Sequence, residues 1–299
     1  MDIIQDFADK YPCPLKEQEM KEVIDNSINT SKNELDNKEV LKLLFNCIDL
    51  TSLYTEDSSD SIRDFVDKVN DLPKHFNYVP QVAAMCVYPV FAPVLKGALK
   101  AEGVNIAVVS AGFPSSQTFT DVKKLETQRA VDFGANEIDI VISVGEFQEG
   151  NYEFVGEEIH QIKSVMKDAH LKVILESGTL KDMEEIWLAS MLSIESGADF
   201  IKTSTGKQQP AATFEAAYVM LNAIKHHHEK TGKKIGFKPA GGISTPEDAL
   251  IYYQLVKDIL GEEWLNNKLF RIGASRLANN LLTKIQELET GKQEEVKYF

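Results

Sequence analysis

An α/β chain closed as a (β/α)8 TIM barrel with an N-terminal helical extension is the fold class the sequence predicts. Two observations point to it: eight short apolar runs alternate with longer stretches of helical periodicity from residue 43 onward, and glycine-bearing turns follow the late runs. Length agrees. Removing residues 1–42 from the 299 leaves 257, close to the roughly 250 of a single barrel.

The expected strands are 44–49, 82–87, 105–110, 137–143, 171–176, 199–203, 235–238 and 269–272, each short and rich in β-branched or apolar residues. Expected helices span 120–133, 152–169, 182–196, 213–230, 246–260 and 277–288. The fifth has a clear start signal: Thr245 offers a capping hydroxyl, Pro246 suits the first turn, and Glu247 and Asp248 lie at the positive end of the helix dipole. Residues 1–42 read as one or two polar helices with a polar connector over 26–37, placed either across the N-terminal mouth or outside the barrel. Residues 43–290 form the barrel, and 291–299 a flexible tail.

Composition excludes several function classes. A formal charge of −14 disfavours nucleic acid or an acidic membrane as partner, since both require basic stripes. The first 16 residues lack the apolar core of a signal peptide. The apolar stretch 83–95 is broken by Pro89 and Pro93 and is too short to span a bilayer. Cys13, Cys47 and Cys86 lack CxxC spacing, which suits a reducing cytoplasm and offers neither a disulfide framework nor a zinc site; Cys13 and Cys47 read as small core residues. Consecutive His226, His227 and His228 diverge around a helix and read as a solvated face, not a metal site.

Strands covered by helices should be apolar on both faces, so charged residues inside them stand out. Lys202 ends the run DFIK and Lys238 the next run, IGFK. If both point inward from neighbouring strands, two ammonium groups about 5 Å apart at an effective dielectric near 20 repel by about 3.3 kcal/mol. That repulsion, with desolvation, favours one neutral amine, a competent nucleophile toward a carbonyl. Asp139 interrupts EIDIV with the inward parity of Glu137 and Val141. A carboxylate touching Lys202 would restore its charge, so Asp139 is expected nearer Lys238 or acting through water. Asp49, in CIDLT, is weaker and reads equally as a loop cap. Turns at Thr205-Gly206-Lys207, Ala240-Gly241-Gly242 and Gly273-Ala274-Ser275 follow the last three strands, where barrels often bind phosphate through backbone amides and helix N-termini.

The ordered motifs AAMCVYP, AGFP, EIDIVI, DFIKTSTGK, GFKPAGGI and FRIGAS resemble the 2-deoxyribose-5-phosphate aldolase family, over about residues 43–285 and in the wording of its longer, animal-like members. The resemblance implies a class I aldolase, a lyase that cleaves 2-deoxy-D-ribose 5-phosphate reversibly to acetaldehyde and D-glyceraldehyde 3-phosphate. It implies no metal or organic cofactor, and a cytoplasmic catabolic role. Lys202 would be the Schiff-base lysine, Lys238 its perturbing partner and Asp139 part of the proton relay. Asp49, Cys86, Thr205 and Lys207 would contact or flank the substrate; Gly206, Gly241, Gly242, Gly273, Ser275 and Arg276 would form the phosphate end. Two departures matter: Ser244 replaces a basic residue frequent after the GGI turn, and Arg276 replaces a hydroxyl, so Arg276 is expected to restore that charge. Tyr298 is a weak match to a C-terminal tyrosine that enters the pocket in some members. The oligomer could be a monomer or homodimer. Competing readings are another Schiff-base aldolase, which would need an arginine or amide cluster for a carboxylate, and a non-catalytic phosphosugar-binding barrel, which would gain nothing from two buried lysines.

Overall fold

The computed structural model describes residues 3–299. Three helices precede the barrel: α1 (Ile3–Lys10), α2 (Glu17–Ser31) and α3 (Lys38–Asn46). The chain then runs β1 (Ile48–Thr51), α4 (Ser59–His75), β2 (Ala84–Val87), α5 (Ala92–Ala98), β3 (Asn105–Val109), α6 (Thr120–Asp132), β4 (Glu137–Val141), α7 (Val144–Gln148) and α8 (Tyr152–Ser164). It continues through β5 (His170–Ile174), α9 (Met183–Glu195), β6 (Phe200–Lys202), α10 (Phe214–Thr231), β7 (Gly236–Lys238), α11 (Pro246–Leu260), β8 (Ile272–Ala274) and α12 (Arg276–Thr290). The strands pair in parallel in chain order, and β1 also pairs with β8. Bridges Phe237↔Phe270 and Ala240↔Gly273 bring β7 to the β8 segment and close the ring.

Helices cover the strands, so most strand residues are buried on both faces. The anticipated cap at Thr245 forms: its hydroxyl accepts from Asp248 N at 3.1 Å, and Asp248 Oδ2 accepts from Thr245 N at 3.3 Å. Two boundaries differ from expectation. Residues 44–46 belong to α3, because Leu41, Leu44 and Phe45 recur at helical spacing and are wholly buried; a short apolar run does not by itself distinguish strand from helix. The last strand begins at Ile272, so Phe270 and Arg271 enter the barrel ahead of it.

The N-terminal helices pack outside the barrel. Met20 and Ile24 of α2 are buried where that helix meets α10 and α11, and Ser27 donates to Asp258 Oδ2 at 2.9 Å. Trp187 Nε1 donates to Tyr11 O at 3.1 Å, so α9 holds the segment after α1. Residues 291–299, anticipated as the tail, run back along α12. Val296 is buried there, and Asn279 Oδ1 accepts from both Tyr298 N (3.0 Å) and Phe299 N (2.9 Å). The three histidines do diverge, but the solvated reading fails for His227: it is buried, with Nδ1 3.1 Å from Glu195, while His226 and His228 meet Trp187 and Trp264. A helix wedged between neighbours leaves no continuous wet face. Among the described residues, no helix is long and apolar enough to cross a membrane.

Candidate active site

Parallel register brings the charged strand residues into one stack. Lys202 and Lys238 are Cα partners across β6 and β7, and Asp139 is the partner of Lys172 across β4 and β5. All four side chains project inward and are buried. Asp139 Oδ2 accepts from Lys202 Nζ at 2.7 Å and from Lys238 Nζ at 2.8 Å, while its Oδ1 accepts from Lys172 Nζ at 3.1 Å. The expectation that Asp139 would stand away from Lys202 is therefore wrong. One carboxylate bridges both lysines, because charges this deeply buried need direct partners.

Asp49 is central, not a loop cap. Its Oδ2 lies 2.5 Å from Lys238 Nζ and 3.5 Å from Lys172 Nζ, and Oδ1 accepts from Arg271 at 2.6 Å. Below it, Glu137 receives Lys172 at 2.5 Å and Arg271 at 2.7 Å. Sequence reasoning missed Lys172, Arg271 and Glu137 as members of the site. The same signal that exposed Lys202, a charge within an otherwise apolar run, was present in LKVIL and LFRI.

The network holds four cations (Lys172, Lys202, Lys238, Arg271) and three carboxylates (Asp49, Glu137, Asp139). Burial opposes the charge of every member, and its balance against the neighbouring charges sets each outcome. For Lys202, burial prevails: with Lys238 adding repulsion, the amine is held below its ordinary value despite Asp139. For Lys238, burial is outweighed by Asp139 and Asp49, and the ammonium is firmly retained. Asp139 is driven well below the usual carboxylate range, since Lys172, Lys202 and Lys238 outweigh its burial.

Lys202 alone of these seven lines the cavity at the C-terminal mouth of the strands, a space of about 370 Å³. Thr51, Leu53, Thr205, Gly206, Lys207, Gly241, Gly242, Ser244, Gly273, Ser275 and Arg276 also line it, so the expected phosphate turns converge on one opening with the lysine. Gly206 and Gly241 have φ of +78° and +88°, and a Cβ on Gly241 would stand 2.7 Å from Ala211 Cβ and 3.0 Å from Gly206 Cα. Glycine is needed there for both conformation and close approach. Lys207 Nζ donates to Leu53 O at 2.7 Å, which ties the turn after β6 to the loop after β1. Thr205 is anchored to buried Glu176, another residue the sequence did not single out, through its hydroxyl at 2.5 Å and its N–H at 3.0 Å. Arg276, at the start of α12, has no carboxylate within 4 Å among the described residues.

Cys86 sits in a small apolar cluster with Leu53, Ala84, Ala107 and Val109, against Phe113 and Tyr88. Burial and Asp139 push its thiol up to about 11, against the pull of Lys238 and Lys202. Tyr298 lies apart: its hydroxyl donates to Lys68 O at 2.7 Å, and its ring packs on His75 and Phe76.

The chain is similar to known aldolases in sequence and in fold. The profile of the DeoC/LacD family aldolases matches residues 44–260. A Homo sapiens protein named deoxyribose-phosphate aldolase is 44% identical over 82% of this chain and 80% of its own length; a Caenorhabditis elegans relative is also 44% identical, over 89% and 88%. One solved aldolase structure, 30% identical, covers 82% of this chain and 96% of its own with a TM-score of 0.67. The tetrameric deoxyribose phosphate aldolase of Aeropyrum pernix, 22% identical with a TM-score of 0.64 over 87% and 99%, shows the same fold. With a matching profile over most of the barrel and relatives above 40% identity, the chain belongs to the DeoC/LacD family of aldolases.

Proposed function

We propose that this aldolase cleaves 2-deoxy-D-ribose 5-phosphate reversibly to acetaldehyde and D-glyceraldehyde 3-phosphate through an imine on Lys202. The observation that carries the reading is Lys202 itself, which lines the cavity, is held below its ordinary pKa by burial and by Lys238, and has a carboxylate at 2.7 Å. A neutral Lys202 Nζ attacks the substrate's C1 carbonyl, and loss of water gives an imine whose protonated nitrogen accepts electrons. Removal of the C3 hydroxyl proton breaks the C2–C3 bond, releases D-glyceraldehyde 3-phosphate and leaves a two-carbon enamine on Lys202. Protonation at C2, with Asp139 and Lys238 moving the proton through water, restores the imine, and hydrolysis frees acetaldehyde.

The remaining assignments follow that orientation. Gly206, Gly241, Gly242, Gly273 and Ser275 offer the phosphate their backbone and the N-terminus of α12, with Lys207 and Arg276 as nearby charges. Asp49 holds Lys238, and Thr205 shapes the wall. Residues 43–290 would make the catalytic unit, with 1–42 an outer brace. Free Cys13, Cys47 and Cys86 suit a reducing cytoplasm, where the enzyme would act on sugar phosphate from deoxyribonucleotide breakdown.

Cleavage of the phosphorylated sugar, followed by coupled detection of D-glyceraldehyde 3-phosphate, tests the reading. Activity in the unaltered enzyme and its loss in Lys202→Met are expected. Absence of turnover, or full turnover in Lys202→Met, would contradict it.

A further inference from the structure

Lys172 and Arg271 lie beneath the proposed nucleophile and do not line the cavity, yet both are almost wholly buried. Lys172 touches all three carboxylates, Glu137 at 2.5 Å, Asp139 at 3.1 Å and Asp49 at 3.5 Å. Arg271 spans Asp49 and Glu137 and donates through Nε to Asn267 O. Neither can touch a substrate in the cavity. Burying two further cations is costly, and a stabilising ion pair alone does not account for them, since apolar residues of similar volume often serve as well.

Their role follows from counting charge. Three carboxylates balance three cations, and a fourth cation inside a low-dielectric barrel has no anion of its own. We propose that Lys172 and Arg271 are positioning residues: with Lys238 they take up the three carboxylate charges, so that Lys202, at the open end of the stack, is the surplus cation and meets the substrate as a free amine. Lys172 would act through Asp139, whose Oδ1 it holds while Lys202 and Lys238 hold Oδ2. The groups facing Lys202 are Asp139 from β4, Lys238 from β7 and Cys86 from β2, with Lys172, Asp49, Glu137 and Arg271 behind them. The inference rests on Lys202 being the imine-forming lysine.

The test is the pH profile of kcat/KM for 2-deoxyribose 5-phosphate in Lys172→Met, Glu137→Gln and the double variant, with borohydride trapping of acetaldehyde on the unaltered enzyme alongside. In Lys172→Met, three cations face three carboxylates with Lys202 charged. Its acid limb should move to higher pH. For unit charges about 5 Å apart at an effective dielectric near 20, kcat/KM on that limb should fall on the order of 100-fold and recover above it. Glu137→Gln should move the limb to lower pH, and the double variant, again with one surplus cation, should return it close to its original position. A merely structural role would lower activity at every pH without moving the limb. An unmoved limb in folded Lys172→Met, or a double variant that stays displaced, overturns the inference. If Lys172→Met does not fold, Glu137→Gln decides: a lowered limb supports the inference, and an unmoved or raised one overturns it. An adduct on Lys202 together with immobile limbs defeats this inference alone, whereas no adduct on Lys202 removes the aldolase mechanism with it.

Discussion

Replacing Asp139 by asparagine should separate imine formation from turnover. Asp139 accepts from three lysines, at 2.7, 2.8 and 3.1 Å, and is fully buried. Asparagine keeps the shape but has one acceptor oxygen, so its amide nitrogen must face at least one lysine donor. Four cations would then confront two carboxylates. Removing one partner from a buried ionic group costs about 3–5 kcal/mol, to be read by urea unfolding. Loss of the nearest anion also disfavours the ammonium form of Lys202, so borohydride trapping of acetaldehyde at neutral pH should persist. Steady-state cleavage, which needs protons moved to and from the substrate, should fall about 100- to 10,000-fold. The reasoning is refuted if trapping and turnover fall together in a folded variant, or if turnover stays within a few fold of the unaltered enzyme.

Arg276→Ala should raise KM for the phosphorylated sugar about 10- to 100-fold, the worth of a charge-assisted hydrogen bond. KM for unphosphorylated deoxyribose should hardly change, and an equal rise for both would exclude a phosphate role. Lys123→Met should cost about 3–5 kcal/mol in denaturant unfolding, because Lys123 is buried 2.8 Å from equally buried Glu158 and also holds Ser116 and Ser143; a change under 1 kcal/mol would show that the pair is dispensable. Acid should destabilise the barrel. Burial is outweighed at Asp49 by Lys238, Lys172 and Arg271, at Glu137 by Lys172 and Arg271, and at Asp139 by its three lysines, so these groups are held below their ordinary values of 3.8 for Asp and 4.5 for Glu. The unfolded chain takes up protons first as pH falls, so this stabilisation is fully present above about pH 5 and declines through the ordinary values toward the lower folded ones. Urea midpoints that stay level from pH 6 to pH 3 would contradict that sign.

Much of this architecture was legible because covered strands have a strong signature. β4, β5 and β6 fell within two residues of expectation, since each is a short apolar run between polar turns. The first and last strands were displaced because Leu44 and Phe45 satisfy a helical stripe as well as a strand, and because Phe270 packs inward ahead of its ladder. At the site, Lys202, Lys238 and Asp139 stood out as charges in apolar runs. The contact between Asp139 and Lys202 did not, because pairwise reasoning weighed one carboxylate against one amine. The structure instead distributes three carboxylates over four cations, and a surplus charge is a property of the whole cluster. Lys172 and Arg271 carried the same sequence signal but lie deeper, where no single spacing announces a partner.

The central claim is that Lys202 is an uncharged nucleophile open to the cavity. The direct measurement is reductive trapping with acetaldehyde and borohydride at neutral pH, followed by peptide mapping of the modified lysine. The account requires a two-carbon adduct on Lys202 at near-stoichiometric yield and none on Lys172 or Lys238. An adduct on Lys238, or no specific adduct at all, would contradict it.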